Sequence, residues 1–190
     1  MSERFFIADL HFGHNNILRF DNRPFCDIKA HDATIIQKWN DRVGLDDDVY
    51  ILGDVSWYNV TETIEILKQL NGNKHLIIGN HDDAFLRNAD FRKMFVEVTN
   101  YKELYLDHKK AIVLSHYPIP CYKNHYYGWY HLYGHVHVSF EANMIEHFQK
   151  EMRDLYGKES HMYNVGCMMP YMDYTPRTLE EIIEGNNDNG

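Results

Sequence analysis

Five short apolar runs each stop at a turn that carries Asp, Asn or His. Ile7-Ala8 runs into Asp9-Leu10-His11, Ile51-Leu52 into Gly53-Asp54, and Ile77-Ile78 into Gly79-Asn80-His81-Asp82. Val113-Leu114 runs into Ser115-His116, and Leu132-Tyr133 into Gly134-His135-Val136-His137. One such turn is ordinary, because Gly, Asn and Asp are turn formers. Five in one chain are hard to explain as solvated turns. The leading donors are Asp9, Asp54, His11, His116, His135, His137 and Asn80, with no thiolate among them. That mixture suits borderline divalent metals such as Mn²⁺, Fe²⁺, Zn²⁺ or Ni²⁺. A hard-oxygen Mg²⁺ site would not need so much imidazole. Seven donors are too many for one ion with an open position, and they suit two ions sharing a residue.

Such donors need a scaffold that brings distant strand ends together. The strands expected are Arg4-Ala8, Val49-Leu52, His75-Ile78, Ala111-Leu114, Trp129-Tyr133 and Met162-Val165. Helical spacing lies between some of them. In Asp32-Val43, Ile35, Ile36, Trp39 and Val43 share a face, and in Thr61-Leu70, Ile64, Leu67 and Leu70 do. From Phe95 to Leu114 the pattern changes to strands joined by the turn Asp107-Lys110. The expectation is a mixed α/β fold, and ligands bind such sheets beyond the carboxyl ends of the strands. Ser139-Tyr156 reads as a further helix whose stripe Phe140, Met144, Phe148, Met152 and Leu155 packs on the core, with a lid or dimer contact as the alternative. Thr178-Glu184 reads as a short last helix. Residues 1–184 are expected to form a single domain, with 185–190 a frayed tail.

The order DxH, GD, GNHD, a lone His after a strand, then GHxH resembles the signature of the calcineurin-like metallophosphoesterases. It covers residues 9 to 137, and the run "ADLHFGHNNI" is similar to small single-domain bacterial or phage members. The resemblance implies two β-sheets in a sandwich flanked by helices. It implies a first metal on Asp9, His11 and His137, a second on Asn80, His116 and His135, and Asp54 bridging both. His81 would face the substrate as general acid, with Asp82 orienting it. The expected cofactor is a pair of divalent ions, Mn²⁺ first, with Fe, Zn, Ni or Mg as the others. In that scheme a metal-bridging hydroxide attacks phosphorus, and two such ions acidify bound water to a pKa of roughly 7. Two dications carry four positive charges and two carboxylates remove two, which leaves a surplus for a phosphate oxygen.

Other residues carry less. His14 is read as a substrate contact or as support for the first metal. Arg19 and Arg23 sit in a stretch that could fold over the pocket and grip phosphate through the bidentate guanidinium, although a solvated loop is the plainer reading. Tyr117, Tyr122, Tyr126, Tyr127 and Trp129 could line an aromatic wall, or simply pack. The insert Ser139-Ser160 departs from shorter relatives, leaving pocket access and oligomeric state open.

Across 190 residues the formal charge is −9 with three scattered cysteines. The acidic balance argues mildly against a nucleic-acid coat, so a small or nucleotide-like phosphate ester is the expected partner. Phosphodiester cleavage, including nuclease action, is the alternative reaction, behind a monoesterase leaning. A binding scaffold on a decayed site would have lost donors, and none of the seven is missing. No CxxC pair, signal-peptide pattern or long apolar run is present, so a cytoplasmic protein that binds no membrane is expected.

Overall fold

The structure is a computed structural model that describes residues 2–187. It holds two four-stranded sheets flanked by helices. The chain runs β1 (Arg4–Ile7), α1 (Ile17–Phe20), α2 (Ile28–Arg42), β2 (Asp48–Ile51), α3 (Val60–Gln69), β3 (Asn73–Ile77), α4 (Ala89–Arg92) and β4 (Glu97–Thr99). It continues with β5 (Tyr101–Tyr105), β6 (Ala111–Ser115), β7 (Tyr130–Tyr133), α5 (Phe140–Tyr156), β8 (Met162–Asn164) and α6 (Leu179–Asn187). The first sheet, β1-β2-β3-β4, is wholly parallel. In the second, β5 is antiparallel to β6, and β6, β7 and β8 are parallel.

Parallel strands put their carboxyl ends on one edge, which is what the five donor turns require. Period-two alternation then divides each strand between two layers. Ile112 and Leu114 of β6 join the main core with Leu132 of β7 and the first sheet's Phe6, Ile51 and Leu76. Ala111 and Val113 face outward into a second cluster with Tyr133, Met162 and Ile145 of α5. Fully burying such a side chain contributes about 1.5–3 kcal/mol. Ile35 and Trp39 of α2 and Leu67 of α3 belong to the main core.

The helix starts follow their caps. Asp27 accepts the Ala30 N–H, so α2 begins four residues before the periodic run at Asp32. Asn59 and Glu62 form a reciprocal capping box at α3.

Two expectations are corrected. The α5 stripe does not pack as one face: Phe140 is 73 % exposed, Met144 63 % and Leu155 69 %, while Met152 is buried. Four-residue steps advance 400° around a helix, so the row drifts by about 40° per step. The buried face instead carries Ile145 and Met152, a near-integral two turns apart. The last helix extends to Asn187, so residues 185–187 of the expected tail are helical, and 188–190 lie outside the described residues. Among the described residues no helix is long and apolar enough to cross a membrane.

Candidate metal centre

The donor turns are held in an unusual backbone. Asp9 (φ 55°), His11 (51°), Asp54 (55°), His135 (71°) and His137 (44°) all sit in the left-handed region. A non-glycine residue there costs about 1–3 kcal/mol and persists only where its surroundings enforce it. Nine such residues occur among those described, and five of them are donors named from the sequence. The glycines in the same turns answer to close approach. A Cβ on Gly134 would lie 2.6 Å from the Asp9 carboxylate, and one on Gly53 would lie 2.5 Å from the His116 ring.

Four ligand atoms, from Asp9, His11, Asp54 and His137, lie within 4.8 Å of one another, so this group could bind metal. His11 Nε2 faces His137 Nε2 at 3.3 Å and Asp54 Oδ2 at 3.7 Å, and His137 Nε2 faces Asp9 Oδ1 at 3.8 Å. Burial raises the Asp9 pKa, so its carboxylate needs a cation to stay ionised. Burial drives the His11 pKa well below the usual imidazole value, which keeps the ring neutral, as a ligand must be.

Beside this group lie the other donors. His116 Nδ1 donates to the Leu52 carbonyl at 2.7 Å, which leaves Nε2 of the neutral ring an acceptor. That Nε2 faces Asn80 Oδ1, a second acceptor, at 3.0 Å. Two acceptors share nothing unless a cation or proton lies between them. His135 packs against His116 with ring centroids 5.1 Å apart, and its backbone N–H donates to Asp9 at 3.0 Å. Asp54 stands between the two sets: Oδ2 faces His11 and Oδ1 faces His116, each at 3.7 Å. The seven donors divide by sheet. Asp9, His11, Asp54 and Asn80 follow strands of the first, and His116, His135 and His137 follow strands of the second.

Sequence reasoning missed Asp21. Its two oxygens accept from His137 Nδ1 at 3.0 and 2.9 Å, which turns Nε2 toward the other ligand atoms. Burial pushes the His137 pKa down, and the contacts with Asp21 and Asp9 outweigh it and raise it. Asp21 is in turn held by Arg23, and here the sequence reading is corrected. Arg23 neither reaches over the pocket nor lies in a solvated loop. It is buried, pairs with Asp21 at 2.9 Å and donates to the Asp9 carbonyl at 3.0 Å, the Leu10 carbonyl at 3.3 Å and His31 Nε2 at 2.9 Å. His31 binds Asp32 through Nδ1 at 2.7 Å, so a buried polar chain backs the site. The lone signal in sequence was the Asp-x-Arg spacing, which by itself says nothing.

Asp82 is also corrected. It does not orient His81. Its buried carboxylate accepts three backbone N–H groups, from Gly79 at 2.8 Å and from Asp54 and Val55 at 3.0 Å each. It therefore fixes the β2 and β3 turns against each other. The His81 ring lies against the Trp57 indole, centroids 4.1 Å apart, with Nε2 3.9 Å from Asp54 Oδ2. His14 stacks on the same indole at 4.0 Å and 5°. Arg19 is exposed and lies over the Phe20 ring at 5.6 Å. Of the expected aromatic wall, only Tyr117 packs against donor rings, those of His116 and His135, while Tyr122 and Trp129 belong to the outer core.

No family model matches the chain. The uncharacterized protein MJ1445 of Methanocaldococcus jannaschii is 34% identical over 141 residues, 73% of this chain and 72% of that one. Gene 66 protein of Mycobacterium phage L5 is 39% identical over 97 residues, 50% of this chain and 46% of its own length. The crystal structure of AQ665 from Aquifex aeolicus, a protein of unknown function, matches with a TM-score of 0.70 at 26% identity, covering 97% of this chain and 99% of its own.

Proposed function

Because the chain belongs to the family of the Methanocaldococcus jannaschii protein MJ1445, itself uncharacterized, we propose its function from its own donor set: a metal-dependent hydrolase of phosphate esters. Two divalent ions are assigned, Mn²⁺ first, one to Asp9, His11 and His137 and one to Asn80, His116 and His135. Asp54 is shared. The observation that carries this reading is the placement of the two Asp54 oxygens, each 3.7 Å from the Nε2 of a different imidazole.

Bound divalent ions supply Lewis acidity toward a phosphoryl oxygen and acidify coordinated water. The chain does the rest. Asp9 and Asp54 remove two of four positive charges, and the neutral His and Asn donors remove none. His81 hands a proton to the departing oxygen, an effect worth about 10²–10⁴-fold in rate. Its backbone N–H donates to Asp54 Oδ1 at 3.0 Å, and its ring leans on Trp57. Asp82 serves by fixing the turns, and His14 by buttressing the indole.

The test is a metal-analysed preparation assayed on aryl phosphate esters in Mn²⁺. About two ions per chain and turnover of an ester are expected. A reconstituted protein that holds one ion or fewer, or one that holds two and cleaves no ester, would overturn the proposal. Asp54→Asn should weaken both ions together; loss of only one removes the shared ligand.

A further inference from the structure

We infer that the ester this site takes is a phosphodiester, a monoanion with an organic group on each side of phosphorus, rather than a phosphomonoester. The inference rests on the hydrolase reading above and reverses the monoesterase leaning of the sequence.

Shape is the first observation. Two clefts meet at His81 and Trp57, which line both. One, of about 450 Å³, runs from His11 and His137 past Phe20 to Val138. The other, of about 370 Å³, runs behind the His81–Trp57 pair along Tyr58, Val60, Ala84 and Phe85. A monoester has one organic substituent and needs one cleft. A diester has two, and both grooves offer aromatic and aliphatic surface suited to a ring or a sugar–base unit.

Charge is the second. Among the described residues that line the two clefts there is no Lys or Arg. Arg23 is buried and committed to Asp21 and to the Asp9 and Leu10 carbonyls. Arg19 lies over Phe20 and lines neither cleft. Asp21, the carboxylate in the first cleft, is already paired with Arg23 and His137. The balance therefore falls on the two ions alone. Their four charges, less Asp9 and Asp54 and less one for an anionic oxygen nucleophile, leave one. A diester monoanion matches that remainder. A phosphomonoester carries about −1.5 to −2 near pH 7 and would leave unmatched negative charge over apolar walls, which is costly away from water.

The test separates binding from turnover. Diphenylphosphinate is a monoanion with two rings, phenylphosphonate a dianion with one, and neither can be hydrolysed. Trp57 is 42 % exposed at the cleft junction while Trp39 and Trp129 are buried, so indole fluorescence reports on this site. The phosphinate should bind the Mn²⁺-loaded protein at least about tenfold more tightly, equivalent to roughly 1.4 kcal/mol. Bis(4-nitrophenyl) phosphate should exceed 4-nitrophenyl phosphate in kcat/KM by the same order or more, the leaving group being identical. Equal or reversed preferences overturn the diester inference and leave the hydrolase reading standing. A metal-loaded protein that cleaves neither ester overturns both. Val138→Arg places a cation at an exposed position of the first cleft and should lower the diester-to-monoester ratio severalfold. An unchanged ratio contradicts the charge argument.

Discussion

Asp21→Asn tests whether the buried chain behind His137 sets the affinity of one ion. Asp21 accepts from His137 Nδ1 with both oxygens and pairs with Arg23 at 2.9 Å, and its side chain is only 3 % exposed. Burial alone would raise its pKa, but the His137 hydrogen bond and charge outweigh it and the carboxyl stays low. Asparagine keeps the shape and one acceptor. It removes the charge that makes Nε2 a better donor to metal, and it sets an amide N–H₂ against a guanidinium. Loss of such a supporting carboxylate costs about 10–100-fold in metal affinity, or roughly 1.4–2.7 kcal/mol. Arg23 retains the Asp9 and Leu10 carbonyls and His31, so the metal-free fold should lose only about 1–3 kcal/mol. Calorimetric titration with Mn²⁺, with elemental analysis of the dialysed protein, reads the first effect, and denaturant unfolding without metal reads the second. Because Asp21 touches His137 and not Asn80, His116 or His135, one site should weaken and the other hold. Two sites weakened equally, or neither weakened, would refute the reasoning.

His81→Ala should lower turnover by about 10²–10⁴-fold while metal content, measured on the same sample, stays at the wild-type value. Chelation should lower the melting temperature reversibly. At a free-ion concentration a hundred times Kd the ions contribute about 2.7 kcal/mol, and a melt indifferent to chelator counts against a resident metal. His131 should give an acid limb. Burial pushes its pKa down to about 4, against 6.5 in the unfolded chain. The unfolded chain therefore binds the extra proton, and stability present above pH 6.5 is lost as pH falls toward 4, by about 3 kcal/mol. Denaturant titrations of His131→Gln across that range should show a shallower fall, and an unchanged slope would exclude the assignment.

The legible parts of this chain were those written locally. Ile77, Leu114 and Leu132 each announced a buried strand and the turn behind it, so the positions of Asn80, His116 and His135 followed without knowing the sheet order. The unreadable parts depend on residues far apart in sequence. Asp21 matters because His137, 116 positions later, folds onto it, and Arg23 looked like a solvent-facing phosphate grip until its carbonyl partners were seen. Asp82 misled for a different reason. An acid beside a histidine suggests a tautomer lock, whereas three converging backbone N–H groups made a stronger claim on it. On α5 the error was angular: spacing by four looks like one face over two residues and spreads over a third of the circumference by the fourth.

The donors come from both sheets, four from one and three from the other. Any cation seated among them is thus also a cross-link between two halves of the molecule, placed at the one rim where every donor strand ends. Emptying the centre should let that rim breathe, with amide exchange quickening first beyond β1, β3 and β7 and least at the opposite edge. A cell short of the ion would then hold not merely an idle enzyme but a looser one, more open to proteolysis.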